Sequence, residues 1–125
     1  MRYMMIYSTD RADSPEPPTE EEQQAMGQLI GEMAAAGVLL LTDGLMPSST
    51  GARVRRQDGK VTVKDGPFSE SKELVGSFAI MKADSKEHAI ELAKKFLAVA
   101  GDGEVEIRQM YDEPAFVSPE VRPTA

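Results

Sequence analysis

The stretch Asp65-Gly66-Pro67-Phe68-Ser69-Glu70-Ser71-Lys72-Glu73 sets three carboxylates, a lysine and an aromatic ring around a Gly-Pro turn. Proline fixes its own φ and biases the residue before it away from helix. Asp65 and Glu70 are therefore expected at the two ends of one tight loop, close in space. A carboxylate in a partly dry cleft has its pKa raised toward neutrality and can carry protons, which makes Asp65 and Glu70 the candidate acid–base groups. Arg108 could grip an acidic or enolic substrate through two parallel hydrogen bonds. Tyr7, Asp43, Phe68 and Lys72 complete the set as candidate substrate contacts. Each has a structural alternative: Asp65 accepting backbone N–H bonds to hold the turn, Glu70 paired with Lys72 or Arg108, Phe68 plugging the core, Tyr7 packing at an interface.

Other chemistries are excluded by residue type. The chain has no cysteine, so disulfides, thiolate catalysis and sulfur-ligated metals are ruled out. With one histidine, His88, only an oxygen site for magnesium or calcium could be built, and no carboxylate spacing suggests one. No glycine loop follows a strand to cradle phosphate, and no nucleophile has a paired histidine. No metal and no cofactor are expected. A net charge of −7 argues against a nucleic-acid surface. No segment approaches the roughly 18 apolar residues of a membrane span. The run Tyr3-Met4-Met5-Ile6-Tyr7 is too short for a signal-peptide core. The cytoplasm is the expected compartment.

The elements that must position these groups read in order. Arg2 to Ser8 is a strand apolar on both parities, which predicts burial on both faces. Thr19-x-x-Glu22 is a capping box opening a helix whose stripe Met26, Leu29, Ile30, Met33 and Ala34 packs on a sheet and which stops at Gly37. Val38 to Thr42 is a second apolar strand, closed by Asp43-Gly44-Leu45. Arg53 to Gln57 and Lys60 to Lys64 flank Asp58-Gly59, a two-residue hairpin turn. In that register Val54 faces Val63, while Arg53, Arg55, Thr62 and Lys64 share the other face, either a solvated surface or an anion-binding rim. Leu74 to Met81 is a third apolar strand. A second helix starts at Asp84-Ser85-Lys86-Glu87, carries Ala89, Ile90, Ala93, Phe96, Leu97 and Ala100 inward and ends at Gly101. Glu104 to Met110 is the last strand, with Glu106, Arg108 and Met110 on one parity.

Without the hairpin this order is βαββαβ, the α+β ferredoxin-like arrangement, with both helices on one face of an antiparallel sheet. The domain is expected over residues 1–111, followed by a C-terminal arm or tail at 112–125. The opposite sheet face keeps apolar residues and would be bare in a monomer, so a second copy packing sheet to sheet is the expected cover. The result would be a dimeric α+β barrel, with Glu106 and Arg108 near cleft mouths.

The Asp65-Gly66-Pro67-Phe68 motif with Glu70, Lys72 and Glu73 resembles the signature of the DGPF-domain, YCII-related family. The likeness extends to Tyr3–Tyr7, Asp43–Leu45, the Asp-Gly-Lys-Val of 58–61, the Gly76 strand and the Val-Glu-Ile-Arg of 105–108. It implies a dimeric α+β barrel without an established activity. For YCII-like relatives it also implies a His-Asp pair in a cleft, but His88 lies outside any matching motif and reads as a surface or cap-adjacent residue. Two functions follow. One is a protein that binds a small acidic or enolic molecule in a cleft, acting as a cofactor-free acid–base enzyme of the isomerase or lyase kind. The other, implied by the resemblance, is a non-catalytic module acting through a protein partner such as an alternative sigma factor.

Overall fold

Two apolar helix stripes and four apolar strands bury themselves at this chain length by laying both helices on one face of a sheet. A computed structural model shows this arrangement and describes residues 1–14, 16–71 and 73–112. Lys72 and the segment 113–125, which holds all but the first residue of the expected arm, lie outside the described residues.

The elements run β1 (Arg2–Thr9), α1 (Glu20–Ala35), β2 (Leu39–Gly44), a short 3-10 turn at Ser48–Thr50, β3 (Ala52–Gln57), β4 (Lys60–Asp65), β5 (Leu74–Lys82), α2 (Lys86–Ala100) and β6 (Glu104–Gln109). The main sheet has the order β2-β5-β1-β6, and β3-β4 form a separate ribbon. All its pairings are antiparallel, giving the ferredoxin-like α+β fold with an inserted hairpin.

Strand alternation decides which side chains meet the helices. Tyr3 pairs with Met81 and Gln109, and Met5 with Ala79 and Ile107. This face closes on Met33 of α1 and on Ala89, Leu92 and Ala93 of α2. The small side chains of Ala89 and Ala93, one helical turn apart, let α2 sit close to the strands. Residues of the other parity, Met4, Ile6, Phe78 and Ile80, share the opposite face by register and are only half-buried. Leu41, opposite Ile80 on the edge strand, is 52% exposed. The Val38–Thr42 run is thus not buried on both faces within one chain.

Helix boundaries follow local chemistry. Thr19 caps α1, its hydroxyl accepting from the Glu22 N–H at 3.1 Å while donating to the Glu22 carboxylate at 3.2 Å. Gly37 takes the positive φ of 77° that ends the helix region. The start of α2 falls within the expected Asp84–Glu87 stretch. Ser85 is the cap, accepting from the His88 N–H at 3.1 Å, and the Asp84 N–H donates to His88 Nδ1 at 3.0 Å.

The hairpin has the predicted register, Val54 opposite Val63 and Arg53 opposite Lys64. Asp58 and Gly59 both take positive φ, the type I′ geometry that suits a twisted ribbon. Every residue of β3 and β4 is exposed.

Candidate functional site

The 65–70 loop is held by residues far from it in sequence. The Gly66 N–H donates to the Gly51 carbonyl at 3.0 Å. The Phe68 N–H donates to Ser48 Oγ at 3.0 Å. Ser48 in turn donates its own hydroxyl to Asp13, and its N–H reaches Asp13 Oδ1 at 2.6 Å. Asp13, Ser48 and the loop thereby join the β1–α1 connection, the 3-10 turn and the hairpin's exit. Donation by the Ser48 hydroxyl, then by its amide, holds the Asp13 carboxyl below its ordinary pKa. The Gly66–Pro67 peptide is cis. A Cβ on Gly66 would lie 1.7 Å from the Ser48 carbonyl oxygen, so this backbone approach requires glycine.

Phe68 is 7% exposed, and the Arg53 guanidinium lies 3.9 Å from its ring centroid. A guanidinium over an aromatic face is attracted by the ring's negative face and fixed in orientation. Arg53 also pairs with Glu70 at 3.5 Å, and Lys64 forms an ion pair with the same carboxylate. The Lys64 ammonium, with Arg53 adding to it, holds the Glu70 pKa below the usual carboxylate range. These side chains are each about half exposed. Ionised at neutral pH and paired, Glu70 is a counter-ion rather than a poised proton acceptor.

The other expected residues are dispersed. Asp65 pairs with Ala52 and by register shares the face of Val54 and Val63, opposite to that of Arg53 and Lys64. The loop does not bring Asp65 and Glu70 onto one face. Asp65 is exposed, and among the described residues its carboxylate makes no hydrogen bond or ion pair. Arg108 lies opposite Met4, five positions along β1 from Thr9, or about 17 Å at strand rise. Its guanidinium pairs with Glu106 at 3.0 Å, not with Glu70. Asp43, opposite Phe78, accepts from the Gly44 N–H at 2.9 Å. Tyr7 faces the helices. Its ring meets Phe96 edge-on at 5.0 Å and its hydroxyl donates to the Asp102 carbonyl at 3.0 Å.

From the sequence, Arg53 and Lys64 share a basic hairpin face that is either a solvated surface or an anion-binding rim, and Asp13 and Ser48 have no role. The alternation of β3 and β4 put both cations on one face, yet nothing local said that this face would close on Glu70. Among the described residues, no three His, Asp or Glu side chains gather as cation ligands, and no helix is long and apolar enough to cross a membrane.

Fold and loop together define a ferredoxin-like α+β domain whose inserted hairpin is buttressed by a Gly-Pro-Phe turn. The chain belongs to the YCII-related domain family, whose profile matches residues 1–113. It is also similar to an uncharacterised protein of Rhizobium meliloti (strain 1021), with 27% identity over 114 residues, 88% of this chain and 92% of that protein.

Proposed function

We propose that the protein binds a small organic acid or enol at the hairpin base, with Arg53 and Lys64 as the groups that hold its negative charge. The observation that carries this reading is the Arg53 guanidinium, held 3.9 Å from the ring centroid of buried Phe68 while half exposed to solvent. A pre-oriented guanidinium loses little entropy on gripping a carboxylate, and Lys64 adds a second charge at the same point. The lowered pKa of Glu70 favours binding over acid–base turnover at this spot. Asp65 lies on the other ribbon face, out of hydrogen-bond reach of a ligand held by Arg53 and Lys64. A second copy covering Met4, Ile6, Phe78 and Ile80 fits the half-buried apolar face and makes the functional unit a homodimer.

Thermal shift against a panel of small organic acids tests this, since a ligand at 100 times its dissociation constant adds about 2.7 kcal/mol. Arg53→Gln is expected to remove the shift. Glu70→Gln is expected to tighten binding by about two- to five-fold, because it releases both cations from a competing surface carboxylate. Weaker binding in Glu70→Gln, with the fold intact, would mean that Glu70 itself touches the ligand and the reading is wrong.

A partner-protein reading has one observation in its favour. Val54, Val61 and Val63 are each more than 60% exposed on the hairpin face away from Glu70. If no acid stabilises the wild type, this valine face becomes the surface to assay against protein partners, an alternative sigma factor among them.

A further inference from the structure

The helices and the sheet do not close over one another completely. Between them remains a gap of about 50 Å³, partly open to solvent. Four of the chain's eight methionines, Met5, Met26, Met33 and Met81, wall it from β1, α1 and β5. Among the described residues, no charged side chain lines it.

Among the described residues three with hydroxyls do line it, and two of them are engaged. Tyr7 donates to the Asp102 carbonyl, and Thr42 donates to the Phe78 carbonyl at 2.9 Å. Ser77, paired with Tyr7 on the helix-facing side of β5, makes no side-chain hydrogen bond among the described residues. An apolar wall with one available polar group is the usual construction of a site for a small uncharged molecule.

The packing has slack to admit one. Among the described residues, no large side chain in this core is fully buried. Methionine is unbranched, and its thioether end moves easily to accommodate a guest. Dry apolar cavities of about 150 Å³ take benzene, so a single ring could enter here once the thioether ends shift outward.

We propose that this gap between helices and sheet is a binding site for a small uncharged molecule, apolar apart from one hydroxyl or carbonyl that hydrogen-bonds Ser77. Among the described residues, none that lines it belongs to the hairpin or to the 65–70 loop, so the site is separate from the Arg53–Lys64 rim. Burial of an apolar ring supplies the affinity, and Ser77 chooses among rings by their polar group.

Methyl-labelled methionine gives a test with its own internal control. In a titration of the whole chain with phenol, saturable shifts are expected at Met5, Met26, Met33 and Met81. Met1, Met4, Met46 and Met110 should stay in place. Ser77→Ala should weaken phenol by about five-fold, the size of one net hydrogen bond, and leave benzene unchanged. Arg53→Gln should leave both titrations unchanged, so this inference and the organic-acid reading can fail separately. No methionine shift, or equal unsaturable shifts at all eight, would overturn the proposal and leave the gap a packing defect. If Ser77→Ala changed phenol and benzene binding alike, or neither, Ser77 would have no part in choosing the ligand.

Discussion

Ser48→Ala removes one hydroxyl and interrupts the junction on which the 65–70 loop rests. The Phe68 N–H loses its acceptor beside a side chain that is 7% exposed, and Asp13 loses one of its two donors from Ser48. An N–H left unsatisfied in a buried setting costs about 1–3 kcal/mol. For a domain of this size each kcal/mol moves the midpoint by roughly 4 °C, so a fall of about 4–12 °C is expected at neutral pH. The acid limb carries a second signature. The folded-state pKa of Asp13 lies below its ordinary value, so its stabilisation is present above about pH 4 and is lost as pH falls through the folded value. Ser48→Ala lets that pKa return toward the ordinary one, and the variant should lose less further stability than wild type on acidification. Urea unfolding at a series of pH values, with an NMR titration of the Asp13 carboxyl, reads both effects. Asp13→Ala in the Ser48→Ala background should add less than it does alone. A neutral-pH midpoint unchanged by Ser48→Ala, with strictly additive single variants, would refute the junction.

Two further substitutions probe the close contacts that aim these groups. Gly66→Ala should cost about 3–5 kcal/mol, because its Cβ would overlap a backbone oxygen that no side-chain rotation can move, and chemical unfolding would show it. A nearly neutral Gly66→Ala would mean that the approach to Ser48 is not as close as described. Tyr7→Phe should cost about 0.5–1 kcal/mol through the lost bond to Asp102, while organic-acid affinity at the hairpin base stays unchanged. Lost affinity with stability intact would place the Tyr7 hydroxyl in that site.

What could be read without tertiary structure is what neighbours in the chain impose on one another. The Asp58-Gly59 turn sets the hairpin register, because only φ-positive residues give the twist that two short strands need. Thr19 and Gly37 bracket the first helix region through their own backbone chemistry, and the order of periodic segments allows few architectures beyond βαββαβ. Even locally there is competition: Asp84 and Ser85 are both capping residue types, and it is the Ser85 hydroxyl that accepts from the His88 N–H. The candidate site was less legible. Asp65 and Glu70 are five residues apart, but strand alternation at the end of β4 sends the first away from the face on which Lys64 and Arg53 take the second. By charge alone Arg108 is a partner for Glu70, whereas pairing with β1 carries it to the far part of the sheet beside Glu106. Asp13 and Ser48 are 35 residues apart, and Ser48 and Phe68 are 20 apart. No period or turn rule couples positions at such separations. Their meeting exists only because β1, β2 and the hairpin deliver three loops to one end of the sheet, where each leaves a donor or acceptor that the next can satisfy.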